Sequence, residues 1–263
     1  MYPRLVHLYG PLWIQSYGTL LALGVLVFLY LSYHHPWRKQ YISGELYFNA
    51  IFLSIVSGIV GSRLLCVITD WHEFSGNWVS IFYPWIGGLT IQGSVLGVLI
   101  VIPWYLKWHK VPVLPLFDLA ALYAPIIQAI ARFGCLLAGC CYGAPCSLPW
   151  AITFTASDIP APTDIPLHPT QIYTALISFL MFFVLYWLSK QNFLKHGQVL
   201  FMYLMLENLS RFTIDFWRGD RAELTNITLG CLSFNFSSLQ LLALACIAGS
   251  LIGFIWVSMQ KRA

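Results

Sequence analysis

Charge is what this sequence lacks most. Asp, Glu, Lys and Arg make up 9% of its 263 residues, against about 25% in a soluble globular domain. That is too few to cover a water-facing surface, which excludes a soluble enzyme and a disordered chain. Long basic runs are missing too. The formal net charge is +4, but Lys and Arg come in short clusters between apolar stretches, so no nucleic-acid partner is expected. Cysteine is sparse at seven residues, too few for a disulfide scaffold. The N-terminus, MYPRLVHLYGPLWIQSYG, has no basic start, short apolar core or small-residue cleavage site, and no removable signal peptide is expected. What is plentiful is apolar and aromatic, 59% and 16% of the chain, with eleven Trp and fourteen Tyr. Trp and Tyr gather at bilayer interfaces. The chain reads as an integral membrane protein.

A helix that spans the hydrocarbon core needs about 20 mostly apolar residues. Seven stretches qualify, at about 12–33, 47–69, 87–106, 114–138, 171–189, 197–214 and 238–258. Their Gly and Pro residues are tolerated in lipid, where neighbouring helices satisfy freed backbone groups. Arg38 and Lys39 follow the first stretch, Lys107 and Lys110 the third, Lys190 and Lys195 the fifth, and Lys261 and Arg262 end the sequence. The loops after the second and fourth hold no Lys or Arg, only Asp70 and Glu73, then Asp158 and Asp164. The loop after the sixth is mixed. Positive charge alternates with the spans, which places the C-terminus in the cytoplasm and the N-terminus outside. The expected fold is all-α and polytopic: one integral membrane domain over residues 1–263, about seven transmembrane helices, and an outer loop at about 139–170.

Arg63, Arg132 and Arg211 fall inside or at the outer ends of the second, fourth and sixth stretches. An ionisable residue in a span is costly and faces the protein interior or water. Each alone can cap a carbonyl or snorkel outward. Three on the same outer side suit a phosphate, which Arg grips in a bidentate fork. In a membrane that phosphate is expected to belong to a phospholipid head group.

Four stretches carry the chemistry. Ala131 to Gly143, ARFGCLLAGCCYG, combines Arg132 with three Gly and with Cys135, Cys140 and Cys141. With Cys146 the spacing is C-x4-C-C-x4-C, which lacks the paired arms of zinc sites, and no metal is expected. Small apolar packing and a disulfide of Cys146 with Cys140 or Cys141 both fit. Leu167 to Tyr173 places His168 before Thr170, a possible helix cap. Glu207 to Asp220 spaces Arg211, Asp215 and Arg218 on one expected helix face. Gly87 to Gly97, GGLTIQGSVLG, holds Gln92 as its one expected buried amide.

These four stretches, in this order, resemble the prolipoprotein diacylglyceryl transferase family. ARFGCLLAGCCYG lies over the family's G-R-x-G-N-F-x-N-x-E-x-aromatic-G, with Arg132, Gly134, Tyr142 and Gly143 in register. HPTQIY resembles its H-P-S/T-Q-x-Y. RFTIDFWRGD resembles R-F-x-x-E-F-x-R-x-P-D, matching Arg211, Arg218 and Asp220 with Asp215 in place of Glu. IQSYG resembles the segment with the family's Tyr, here Tyr17, and SGIVGSRL, with Gly61 and Arg63, resembles its G-G-R segment. There are departures. Gln92 stands where the family has the His of H-G-G, Cys135 and Ala138 where it has Asn, and Cys140 where it has Glu.

The resemblance implies transfer of a diacylglyceryl group from phosphatidylglycerol to the lipobox cysteine thiol of a prolipoprotein, in the bacterial cytoplasmic membrane, with no cofactor. It implies catalytic roles for Arg132, Arg211 and His168. Phosphatidylglycerol would be bound by Arg132, Tyr17, Arg63, Gly143, Arg218 and Gln92. Its partners would be phosphatidylglycerol, the signal-peptide and lipobox region, and the bilayer. A membrane thiol–disulfide oxidoreductase using Cys135, Cys140, Cys141 and Cys146, or a non-catalytic phospholipid-binding protein on the same fold, are the other readings.

Overall fold

The computed structural model describes residues 4–9, 12–74, 80, 90–155, 159–191, 194–219, 221, 224–229 and 232–260. Gly87, Gly88, Asp158, Asp220, Lys261 and Arg262 lie outside the described residues. The element order is β1 (Arg4–Tyr9), β2 (Leu12–Gln15), α1 (Ser16–His34), α2 (Pro36–Tyr41), α3 (Gly44–Thr69), α4 (Trp71–Phe74), α5 (Ile91–Trp108) and α6 (Val113–Ala138). Then follow β3 (Ile152–Thr153), β4 (Pro166–Leu167), α7 (Thr170–Ser189), α8 (Gln198–Asp215), β5 (Leu224–Leu229), β6 (Leu232–Ser237) and α9 (Ser238–Met259). The strands form three antiparallel two-stranded ribbons, β1–β2, β3–β4 and β5–β6. The other regular elements are helices.

Each of the seven apolar stretches overlaps a helix. Five of these helices, α1, α3, α6, α7 and α9, are long and apolar enough to cross a membrane. Of the other two, α8 carries Glu207, Arg211 and Asp215, and α5 has Lys107 in its last turn. The first helix starts later than expected, at Ser16, because Leu12–Gln15 pairs with β1.

The exposed surface is largely apolar, unlike that of a soluble fold, and polar side chains sit inside among the apolar core. Phe52, Ile68, Ile100, Phe183 and Ile252 are exposed, whereas Asp118, Thr174, Ser178, Glu207 and Asp215 are buried. In water such a surface would aggregate; in lipid it faces a solvent of its own kind. Four of the buried hydroxyls bond within their own helices. Ser32 donates to the Phe28 carbonyl, Thr174 to Thr170, Ser178 to Thr174 and Ser250 to Cys246, so no hydroxyl proton there needs water.

The chain forms two compact units, Tyr33–Leu116 on the one hand, and Met1–Ser32 with Phe117–Ala263 on the other. In the smaller unit α3 and α5 pack backbone to backbone. A Cβ added at Gly61 would stand 2.5 Å from the Gly93 carbonyl oxygen and 3.0 Å from the Gly97 Cα, the small-residue seam of membrane helix pairs. This seam corrects the reading of Gln92. The inward positions of α5 are Gly93 and Gly97, and Gln92, about 100° round the helix from Gly93, is exposed. Arg63 is buried in the same unit, donates to the Ser80 carbonyl, and lies 4.9 Å over the Phe74 ring. It braces the segment that follows α3.

In the larger unit α8 packs on α7 and α9. Two polar contacts hold its ends. At the start, the buried Asp118 carboxylate of α6 accepts from the Gly197 and Leu200 amides, capping donors that the first turn of α8 leaves unpaired. At the finish, Asp215 accepts from Ser237 Oγ at 2.6 Å and pairs with Arg221 at 3.3 Å, while Ser237 and Gln240 form the capping box of α9.

Candidate active site

The site is built at the end of α6. The helix closes on Ala138, and Gly139 turns the chain in the left-handed region at φ 68°. Cys141 adopts the same region at φ 55°. For a residue with a Cβ that conformation is strained, and the surroundings must hold it. Here they do. Thr170 Oγ1 donates to the Cys141 carbonyl and Gln171 Nε2 to the Cys140 carbonyl, both at 2.8 Å.

Beyond Cys141 the chain runs as the middle strand of a three-segment clip. On one side the Gly143 amide donates to the His168 carbonyl at 3.1 Å, the His168 amide to Ala144 at 3.0 Å, and the Cys146 amide to Pro166 at 2.9 Å. On the other, the Ala144 amide donates to the Trp217 carbonyl at 2.8 Å and the Gly219 amide to Tyr142 at 3.1 Å. Gly143 is needed because the flanking segments touch there. A Cβ would collide with the Cβ and carbonyl of His168 and stand 2.9 Å from the Trp217 oxygen. Three stretches far apart in sequence, 131–143, 167–173 and 207–219, are thereby held edge to edge. Thr170 is not the helix cap that its position suggests: Pro169 is, and the Thr170 hydroxyl is committed to Cys141.

The clip also gathers the cysteines, in a way that corrects their reading. All six described cysteines are free thiols, so Cys146 forms no disulfide with Cys140 or Cys141; its backbone joins the Pro166 strand instead. The sulfurs of Cys135, Cys140 and Cys141 lie within 4.8 Å of one another. The left-handed turns at Gly139 and Cys141 fold positions five and six residues on from Cys135 back over the last turn of α6. The neighbouring Cys135 and Cys140 thiols hold the Cys141 thiol below its usual range, and Arg132 and Arg218 pull it the same way against its burial.

Of the expected functional residues, the structure brings Tyr17, Arg132, Arg218, Gly143 and His168 into one region. Tyr17, in the first turn of α1, interacts electrostatically with Arg132 and with all three cysteines. A Cβ at Gly134 would stand 3.0 Å from the Tyr17 Cα, which shows how closely α1 approaches α6 there. His168 Nδ1 lies 3.4 Å from the Tyr173 hydroxyl, which accepts from Trp150 Nε1 at 2.8 Å. Arg132 makes no ion pair with a carboxylate among the described residues. Arg211 is drawn elsewhere: it pairs with Glu207 at 2.7 Å, and Glu207 also accepts from Gln128 Nε2 at 2.7 Å. The expected charged face of Arg211, Asp215 and Arg218 is therefore not one network. Asp215 bonds to Ser237 and Arg221, and Arg218 lies beyond the helix end. Glu207, Gln128 and Gln171 were not singled out by sequence. The signal for Glu207 was its place four residues before Arg211, the favourable order for a helix ion pair. Between α7 and α8 runs an apolar groove of about 250 Å³, lined by Ile177, Leu180, Val184, Leu206 and Leu209 among others.

The family model described as prolipoprotein diacylglyceryl transferase matches residues 3–256. The chain belongs to the prolipoprotein diacylglyceryl transferase family. Among its relatives, a phosphatidylglycerol–prolipoprotein diacylglyceryl transferase of Clostridium tetani is 36% identical over 220 residues, 84% of this chain and 86% of that one. A second such transferase, of Clostridium perfringens, is 34% identical over 79% of this chain and 80% of its own length. The enzyme of Paracidovorax citrulli is 28% identical over 98% of this chain and 93% of its own. The clip described above unites the three longest motif stretches that carry the resemblance to this family.

Proposed function

We propose that this chain is a phosphatidylglycerol–prolipoprotein diacylglyceryl transferase, an enzyme of bacterial lipoprotein maturation. The observation that carries the reading is the clip, which sets the Arg132, His168 and Arg218 stretches side by side next to Tyr17. The acceptor is the lipobox cysteine of a prolipoprotein. Its sulfur attacks the glyceryl carbon, an S–C bond forms, and the C–O bond to phosphate breaks with its electron pair leaving on the phosphate oxygen. The thiol proton passes to solvent or to the departing glycerol phosphate. Cations beside that phosphate stabilise the charge that develops. Arg132 and Arg218 supply them at the clip, and Arg211, its side chain 58% exposed, supplies a further cation from α8. Tyr17 and Gly143 border the lipid head group, and His168 orients the acceptor. Arg63 and Gln92, in the other unit, take structural and surface roles. The groove between α7 and α8 suits an acyl chain.

All seven long helices cross the bacterial cytoplasmic membrane in this reading, as one integral domain with the N-terminus and the 139–170 loop outside. The alternation of Lys and Arg supports it. A reporter fused after Lys261 then reads cytoplasmic, and one inserted near Asp158 reads external; a cytoplasmic signal from the 144–166 loop overturns the topology. The function is tested by incubating the purified protein in phosphatidylglycerol vesicles with a lipobox peptide. The expected result is a diacylglyceryl mass gain on the peptide cysteine with release of glycerol phosphate. Lipid binding without transfer would mark a non-catalytic phospholipid-binding protein instead.

A further inference from the structure

We propose that Cys135, Cys140 and Cys141 form a three-thiolate zinc site whose fourth position receives the acceptor thiol of the prolipoprotein. The inference rests on the transferase reading for its second half only. The first half stands on geometry. Three sulfurs within 4.8 Å of one another need only a small contraction to share one ion, since zinc–sulfur bonds of about 2.3 Å put tetrahedral sulfurs about 3.8 Å apart. Three is the wrong number for disulfides, which would leave one thiol over. It is the number of protein ligands that a zinc site with an open fourth position uses.

The surroundings fit a metal thiolate. Thiolates are the soft donors that select zinc over hard cations. Three of them around a divalent cation leave one net negative charge, and the guanidiniums of Arg132 and Arg218 both act on Cys141. The backbone bearing the ligands is fixed by side chains outside the trio: Thr170 holds the Cys141 carbonyl and Gln171 the Cys140 carbonyl. Gln171 is buried, and its Oε1 has no hydrogen-bond partner among the described residues. It offers an acceptor beside Cys140 for the incoming thiol's proton before that thiol binds the metal and loses it to solvent.

The chemistry supplies a reason for the site. The transfer needs the acceptor sulfur as thiolate, because the thiol is a poor nucleophile. A thiol that coordinates zinc is deprotonated outright. On this chain the acceptor thiol binds zinc as the fourth sulfur and releases its proton to solvent. The bound sulfur then forms the S–C bond as the C–O bond to phosphate breaks, and the thioether, a weaker ligand, leaves. No oxidant or reductant is required.

The test uses the full chain, purified without chelator in phosphatidylglycerol nanodiscs. Metal analysis is expected to find one zinc per chain in the wild type and none in Cys140→Ser or Cys141→Ser. Cys146→Ser, outside the trio, should keep zinc and transfer. Stripping zinc should lower transfer to a lipobox peptide on the order of 100-fold, the scale of a lost proton-removing group, and zinc should restore it. In cobalt-loaded protein the sulfur-to-metal absorption should grow on adding the peptide but not its Cys→Ser version. Zinc-free protein that transfers at the full rate overturns the proposal and leaves the transferase reading intact. So does a disulfide within the trio, or copper or iron in place of zinc. Zinc bound with no spectral response to peptide overturns the acceptor half. Zinc bound in a protein that never transfers sinks the transferase reading while the metal site stands.

Discussion

Replacing Gly143 by Ala adds one methyl group at the tightest point of the clip. The new Cβ meets the Cβ and carbonyl of His168 on one side and the Trp217 oxygen at 2.9 Å on the other. Two of those three atoms are backbone, so no flexible side-chain tip can swing away. One flanking strand must move. Overpacking of this kind costs about 1–3 kcal/mol. The strand that moves takes with it either the Gly143–His168 and His168–Ala144 hydrogen bonds or the Ala144–Trp217 and Gly219–Tyr142 pair, each worth about 1 kcal/mol net. Strain relieved by movement is not counted again, so the local cost is about 2–4 kcal/mol. At 1.4 kcal/mol per tenfold, that is roughly a 30- to 700-fold shift of the clip towards an open form. Gly249→Ala provides the control. It lies in α9 with nothing within 4 Å of an added Cβ, and Ala there should be neutral or stabilising by up to about 1 kcal/mol. Peptide lipidation rate per folded molecule and thermal midpoint in detergent are the readouts. Gly143→Ala should lose most of its activity with only a modest fall in midpoint, because the clip is a small part of the helical fold. Wild-type activity in Gly143→Ala would refute the three-segment geometry.

Arg132→Lys keeps the charge but loses the planar fork, so it should cost at least about tenfold in transfer, read from initial rates on the lipobox peptide; full activity would remove Arg132 from the phosphate contact. Glu207→Ala leaves Gln128 Nε2 and Arg211 without their shared acceptor and should cost about 1–3 kcal/mol of stability, seen as a lower thermal midpoint that Glu207→Gln partly recovers. His35 Nδ1 accepts from the Trp37 amide as the cap of α2, and burial lowers its pKa below 6.5. A depressed pKa means that the neutral form favours folding, so this contribution is present above pH 6.5 and is lost as pH falls through the folded value. The thermal midpoint should therefore drop between pH 7.5 and acid pH, and His35→Asn, a cap that does not titrate, should flatten that part of the slope.

The helices were legible because lipid imposes a simple rule: long apolar runs become helices, and their lengths are set by the bilayer. Boundaries moved by a few residues where another element competed, as at Leu12–Gln15, which pairs as a strand. Side-chain partners were harder to read. Asp118 caps a helix some eighty positions away, and nothing local to VPVLPLFDLA announces that contact. Gln92 looked buried because it is the one amide in a Gly-rich run, yet the glycines themselves form the packing face. The cysteines misled for a physical reason. A spacing rule built on paired C-x2-C arms assumes regular turns, whereas Gly139 and Cys141 both enter the left-handed region. That bend brings together thiols that a continued helix would have spread along its axis.

Charge balance separates the clip from the rest of the larger unit. Unpaired charge is expensive at membrane depth, and the buried carboxylates each have partners: Asp118 at two amides, Glu207 at Arg211 and Gln128, Asp215 at Ser237 and Arg221. Arg132 has no carboxylate among the described residues. In the family motif that ARFGCLLAGCCYG resembles, Glu stands where this chain has Cys140, a position that would carry a fixed negative charge. A neutral thiol cannot replace it. With three neutral thiols, Arg132 meets no such charge from the cluster. A zinc tristhiolate carries one net negative charge, the same as a carboxylate at position 140 would supply. Three converging thiols around zinc and a Glu at position 140 are thus two sources of the same negative charge, which predicts a charge rescue: Cys140→Glu should abolish zinc binding yet retain more transfer than Cys140→Ser.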